Sequence, residues 1–399
     1  MTRLHFLTAG ESHGPCLNAI VEGLPAGLRV DVEAIDRDLR RRQGGYGRGG
    51  RQRIEQDHVQ VLGGVLGGVT TGAPVALRID NRDWKNWRAH WEAGDLPPLT
   101  VPRPGHADYA GMIKYGLQDA RPVLERASAR ETAARVAVGA LARLLLSELG
   151  IVVGSYVGEI GGVVAQVPDL PYAELWRRAE GSDVRCPDPM AAEQIRAAID
   201  AARERGDSLG GVFVVVATGV PVGLGSYVHW ERRLDARLAA ALIGIQAIKG
   251  VEIGPAFENA RLPGTQVHDP FLPADQPAAG PGSRTTDRAS RVPALERSAG
   301  THHVTRPSNR AGGIEGGISN GMPIVLRAAM KPIPTTVAPQ PSVDLATGEP
   351  AQTQYQRSDV CAVPAASVVG EAMVSWVLAD ALLEKMGGDS VDEIRGRLG

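Results

Sequence analysis

The sequence predicts a mixed α and β fold in which long apolar helices are buried among short strands. Three observations carry this. Residues 126–149 run without proline and are mostly Ala, Val and Leu, with Arg and Glu at intervals, as a long buried helix requires. Residues 364–386 form a second such stretch. Short apolar runs at 4–9, 58–79, 151–158, 161–166 and 322–330 alternate with glycines, as strands joined by tight turns do. A doubly wound sheet is the alternative arrangement of such elements, but no GxGxxG fingerprint follows the first strand, which argues against it.

Composition narrows the class. The chain has 399 residues, 43% hydrophobic and 22% charged, enough apolar sequence for a large globular core. A formal net charge of −2 gives no bulk attraction for nucleic acid or anionic membrane, so any anion site must come from local arginines. Cys16, Cys186 and Cys361 are few and far apart, with no CxxC, which points to a reducing compartment without disulfides or thiolate metal sites. No basic-then-apolar leader opens the chain, and a cytoplasmic location is expected.

Taken in order, residues 4–9 read as a strand entering the turn Gly10-Glu11-Ser12-His13-Gly14, which displays Ser12 and His13 at the strand end. Being adjacent, these two do not read as a nucleophile and its base. A second strand and a turn at Pro25-Ala26-Gly27 lead to a helix from N-cap Asp31 to about Arg42. Residues 40–53 then pack Arg40, Arg41, Arg42, Arg48, Arg51 and Arg53 around glycines and Tyr46. Such a stretch is a solvated loop, a phosphate clamp of bidentate guanidiniums, or an arginine–glycine segment for nucleic acid. Its single occurrence, in a slightly acidic chain, favours the clamp.

Residues 58–79 read as two strands, and Trp84, Trp87 and Trp91 follow at helical spacing, suited to packing or a subunit contact more than to stacking. Residues 101–125 read as a loop, with Gly105 freeing the backbone before His106, and a helix runs from Arg126 to Leu149. An imidazole thus adjoins a helix entrance holding Ser128, Arg130, Glu131 and Arg135, a pattern that suits a phosphate or carboxylate. Residues 167–189 read as a Pro-rich loop, 190–205 as a helix, 212–220 as a strand, and 232–249 as a helix ending at Gly250. Residues 255–310 lack periodicity and suggest a long functional or mobile loop. Two glycine pairs in 308–321 imply close backbone approach, and a strand at 322–330 leads to Lys331-Pro332-Ile333-Pro334-Thr335. Asp359 before the final helix reads most simply as a cap. No HExxH or P-loop signature is present.

Taken together these stretches resemble the chorismate synthase family: GESHG at 10–14, RRRQGGYGRG at 40–49, RPGHADYAGMIKYG at 103–116 and RASARETAARV at 126–136. The likeness continues with GDSLGG at 206–211, NRAGGIEGGISNG at 309–321, KPIPT at 331–335 and RSDVCAVPA at 357–365. The resemblance implies an α+β fold, a β-α-β sandwich with long helices between antiparallel sheets, in one domain over residues 1–399. Residues 264–307 depart from the family pattern as an extended Pro/Gly-rich loop.

The resemblance also implies a reaction, the anti-1,4-elimination of phosphate from 5-enolpyruvylshikimate 3-phosphate to give chorismate. It requires reduced FMN without net oxidation, because the hydrogen lost at C6 is not next to a carbonyl. By motif, His13 matches the acid for the departing phosphate, and His106 the residue that protonates reduced flavin. Asp359, supported by Ser128, matches the carboxylate that assists proton movement. FMN contacts carry over to Arg126, Ala127, Ser128, Gln246, Ala247, Gly316, Lys331, Pro332, Ile333, Pro334, Thr335 and Arg357. Substrate or NADPH contacts carry over to Ser12, Arg42, Arg48, Arg103 and Arg130. NADPH or a separate flavin reductase would supply reducing equivalents, and the expected assembly is a homotetramer with no nucleic acid, metal or membrane partner.

Overall fold

The computed structural model describes residues 4–50, 54–273, 304–354 and 358–398. Its main elements in chain order begin with β1 (His5–Ala9), β2 (Cys16–Glu22), α1 (Val32–Gln43), β3 (Val59–Gly63) and β4 (Val75–Asp80). Next come α2 (Trp84–Ala93), α3 (Asp108–Tyr115), α4 (Arg121–Ala127), α5 (Thr132–Glu148), β5 (Val152–Ile160) and β6 (Val163–Val164). Then follow α6 (Tyr172–Glu180), α7 (Pro189–Glu204), β7 (Gly211–Thr218), α8 (Leu234–Ile243) and β8 (Ile248–Ile253). The series closes with β9 (Ile324–Met330), α9 (Val363–Met386) and α10 (Val391–Leu398).

Two antiparallel sheets enclose a helical layer. The first has strand order β1-β2-β4-β3 and the second β8-β9-β7-β5-β6. Alternation sets the buried faces: Leu17, Ala19 and Val21 of β2 and Val75, Leu77 and Ile79 of β4 point inward. The α5 and α9 helices fill the space between the sheets and touch closely enough that a Cβ on Gly139 would lie 2.4 Å from that of Ala372. This is the expected sandwich of sheets around long helices. The α9 helix is long and apolar enough to cross a membrane by length and composition, yet its whole apolar window is buried in the protein.

Several local expectations hold. Asp31 caps α1 by accepting a hydrogen bond from Ala34 N, and Pro189 opens α7 after N-cap Asp188. Others are corrected. The helix expected from Arg126 is broken at Ser128, whose extended backbone lets its Oγ accept from Arg130 N, so α5 begins at Thr132. The Ser-x-x-Glu spacing at 128–131 carried that signal. The 101–125 loop contains α3 and the start of α4. The Pro-rich stretch 167–189 contains α6, whose Tyr172, Leu175 and Ala179 cover the second sheet against Tyr156, Val214 and Val325. Its prolines flank the helix instead of interrupting it. The helix expected over 232–249 stops at Ile243, and Ile248 already belongs to β8. Residues 341–343 and 350–352 pair as a hairpin. Of the expected mobile loop 264–307, residues 274–303 lie outside the described residues; Leu272–Pro273 pairs with Val304–Thr305 at its base.

Candidate active site

A cavity of about 600 Å³ opens where the first sheet's turns, the α4–α5 junction, the turn after α8 and the start of α9 meet. Its wall includes Ser12, His13, Arg42, Arg48, Arg103, His106, Ser128, Arg130 and Asp359. Ala127, Gln246, Ala247, Lys331, Ile333, Pro334 and Thr335 line it as well. Residues separated by up to hundreds of positions are thus gathered at one place. Arg126, Gly316 and Pro332 are not among the lining residues. Arg126 donates outward to Thr8 O, and Gly316 sits at the turn of the 314–319 hairpin. Arg51, Arg53 and Arg357 lie outside the described residues.

His13 stands on the turn between β1 and β2. Gly10 is required there, with φ of +108° and an added Cβ only 2.3 Å from Cys16 O. The letters Gly-x-Ser-x-Gly at 10–14 do not make a nucleophile elbow, since β1 returns directly to β2 and no helix follows the serine. Asn81 Nδ2 donates to Gly14 O at 2.7 Å, and Ser12 N donates to Glu125 O at 3.1 Å. The His13 ring meets Glu125 through Nδ1 and Oε1 at 2.8 Å and lies 4.2 Å from the Trp87 ring, centroid to centroid. Trp87 is therefore a cavity residue that packs against the imidazole with its ring tilted by 39°.

His106 follows Gly105, whose φ is +75°. Its Nδ1 lies 2.5 Å from Asp108 Oδ1, and Arg103 Nε donates to Asp108 Oδ2 at 2.8 Å. Burial alone would raise the Asp108 carboxyl, but hydrogen bonds from His106 and Arg103 hold it well below the usual carboxylate range. Arg103 also donates to Thr335 Oγ1 at 3.0 Å, which ties the histidine loop to the 331–335 segment.

Asp359 is not a cap. The N-cap of α9 is Ala362, whereas Asp359 accepts from Arg48 Nη1 at 2.7 Å and Gly49 N at 2.6 Å. Glycine is needed at position 49 because a Cβ there would lie 2.5 Å from Ser358 O. The arginine-rich stretch is an ordered clamp. Among its described members, Arg40 pairs with Glu33, Arg41 with Glu371, Arg42 with Asp57 and Arg48 with Asp359. A free polycation for nucleic acid is not what these contacts make.

Arg130 completes the wall, donating to Asp57 Oδ1 at 2.6 Å and Asn81 Oδ1 at 2.8 Å. Burial and the nearby Arg130 and Arg48 press Arg42 below its usual value against the pull of Asp57, a crowding of cations that a bound anion would relieve. Ser12 Oγ donates to Ser128 Oγ at 3.1 Å. Opposite, the turn after α8 places Ala247 at φ +66°, a left-handed conformation costly for alanine, and Ala247 O accepts from Lys331 N. The Nε atoms of Arg42 and Arg48 and Oε1 of Gln246 are buried without a partner. The wall therefore holds donors and an acceptor in reserve for a polar ligand.

Sequence reasoning missed Glu125, Asp108, Asp57 and Asn81. Asp108, two residues from His106, was within reach of a His-x-Asp reading. Glu125, 112 positions from His13, had no local signal.

The family model described as chorismate synthase matches residues 4–383. The chain is 55% identical over 401 residues to chorismate synthase of Desulforamulus reducens, covering 99% of this chain and 97% of that protein. It is 54% identical over 396 residues to chorismate synthase of Desulforudis audaxviator, covering 98% and 95%. Among solved structures, a crystal structure of chorismate synthase aligns with a TM-score of 0.75 at 43% identity, over 100% of this chain and 97% of that one.

Proposed function

The chain belongs to the chorismate synthase family, and from that premise we propose how its own residues carry the family's reaction. It is an enzyme, a carbon–oxygen lyase acting on a phosphate ester. Its reaction is the anti-1,4-elimination of phosphate and the C6 hydrogen from 5-enolpyruvylshikimate 3-phosphate, giving chorismate at the last step of the shikimate pathway without net redox change. The family's reaction needs reduced flavin.

The gathering of His13, His106, Asp359 and four arginines around one cavity is the observation that carries the assignment of roles. Arg48, with Arg42 and Arg130 behind it, binds the substrate's phosphate or carboxylate by charge-assisted hydrogen bonds. His13 delivers a proton to the departing phosphate oxygen, through Nε2, since Nδ1 is held by Glu125. His106, whose ring lies between Asp108 and Arg103, is the proton donor toward bound reduced flavin. Asp359, fixed by Arg48 and Gly49, assists that proton traffic, with Ser128 and Ser12 as hydroxyl partners.

The unpartnered Gln246 Oε1 and the left-handed turn at Ala247 fit a flavin held against Ala127, Ser128 and the 331–335 segment. Arg126, Gly316 and Arg357 stay with this group on motif grounds alone. Reduced flavin held there would supply electron density to the breaking bond and an acceptor for the C6 hydrogen. NADPH at Arg42 and Arg48, or a separate reductase, is the source of reducing equivalents.

We place the enzyme in the cytoplasm, in keeping with three free cysteines, as one catalytic domain over the chain. A homotetramer agrees with the outer face of the first sheet, where Leu7, Ile20 and Leu62 are exposed. Anaerobic assay separates the options. Chemically reduced FMN should support release of phosphate and chorismate from the substrate. Activity with NADPH alone would assign the reduction to this chain. No turnover with reduced FMN would overturn the reading.

A further inference from the structure

We propose that Glu125 is the positioning residue of His13, selecting the ring tautomer that carries the proton on Nδ1 and turns Nε2 to the cavity. This rests on the reading of His13 as the acid for the departing phosphate.

The argument is one of bond polarity. Glu125 is 3% exposed and uses its two oxygens on the same residue: Oε2 accepts from His13 N at 2.7 Å, and Oε1 meets His13 Nδ1 at 2.8 Å. An ionised carboxylate only accepts, so Nδ1 must donate; Nε2 is then the atom that takes up the second proton to form the imidazolium, which Glu125 stabilises and which gives that proton to the leaving phosphate. A merely structural carboxylate would need only the backbone bond. The second bond acts on the chemistry, as in catalytic His–carboxylate pairs on unrelated folds. The ring cannot turn away easily. Trp87 lies 4.2 Å from it, Arg121 lies over that indole at 5.6 Å, and Arg121 Nη1 is 4.0 Å from Glu125 Oε1. Phosphate leaving from C3 therefore meets a nitrogen whose protonation state is set from 112 residues away in the chain.

Glu125→Gln tests this with little change in shape. The backbone N–H of His13 needs an acceptor, so the amide oxygen must face it. The amide nitrogen then faces Nδ1, which can only accept, and the tautomer inverts. Imidazole 15N shifts of 15N-histidine-labelled protein, without cofactor, should show His13 moving from Nδ1–H to Nε2–H, with His13→Ala assigning the signal. Turnover with reduced FMN should fall by about 10²–10⁴-fold, while KM and FMN affinity stay within about threefold. Glu125→Asp, which keeps the charge, should retain the original tautomer and recover at least about tenfold of the lost turnover. An unchanged His13 tautomer in Glu125→Gln overturns the inference, as does equal loss in the Asp and Gln variants. An inverted tautomer with near-normal turnover leaves the positioning intact and overturns the assignment of His13 as the acid. If Glu125→Gln does not fold, the tautomer of Glu125→Asp decides alone: Nε2–H there overturns the inference.

Discussion

Arg41 and Arg42 are neighbours in the last turns of one helix, yet they serve two different regions of the molecule. Arg42 turns to the cavity, donates to Asp57 and keeps Nε without a partner. Arg41 turns to the helix layer, where Arg41, Arg143, Arg185 and Ser155 all donate to the buried Glu371. Burial would raise the Glu371 carboxyl, but the three guanidiniums hold it far below the usual range. The two clusters share residue types and differ in completeness. One is saturated and binds elements of the fold to each other; the other keeps donors and an acceptor for a ligand. A helix turns about 100° per residue, which is enough to send adjacent arginines to opposite tasks.

Substitutions should separate the two regions. The largest effects belong to the cavity: His13→Ala, His106→Ala and Asp359→Asn should each lower turnover by about 10²–10⁴-fold with melting temperature nearly unchanged. Combined, their losses should be less than additive, as the proposed single proton circuit requires. An Asp359→Asn enzyme with normal turnover on reduced FMN would remove Asp359 from that circuit.

Glu371→Gln should do the reverse. It leaves buried guanidiniums uncompensated and should cost about 3–5 kcal/mol in denaturant unfolding, with turnover per folded molecule unchanged. Loss of turnover without loss of stability would erase the distinction between the clusters. Arg48→Ala should weaken transition-state binding by about 1.5–3 kcal/mol, read as a drop of about 10- to 100-fold in kcat/KM. It should also free Asp359.

The smallest effect is on acid stability. Asp108, Asp57 and Glu371 all have folded-state values below those of the unfolded chain. Their stabilisation is therefore present above the ordinary carboxylate range and is lost as pH falls through the depressed values. Melting temperature should fall as pH is lowered below about 5 and keep falling into the strongly acid range, and Glu371→Gln should drop less. Parallel curves would mean that Glu371 does not titrate on unfolding.

Local chemistry was legible from the residues. Asp31 before an apolar-periodic run marks a cap, Gly150 marks a stop, and an apolar stretch from Val363 to Met386 can only be buried or leave water altogether. The glycine pairs of 308–321 announced close backbone approach, found at Gly312, where a Cβ would lie 2.4 Å from Gly254 N. The errors were at boundaries where neighbours compete. Prolines around α6 disguised a helix whose apolar face is held by the second sheet, and Ser128 ended one helix and capped the next turn.

What lay beyond the residues in order was pairing over distance. The motif strings sufficed for the family, the reaction and the candidate histidines, because those depend on residue identity within a few positions. That Glu125 would meet His13, Asp359 would hold Arg48 instead of capping α9, and Arg41 and Arg42 would part company depended on how two sheets close over the α5 and α9 layer. Propensity and capping act within a turn or two of chain, whereas a charge finds its partner through packing. The residue types of the cavity are therefore written in sequence, and their orientation and pairing belong to the assembled fold.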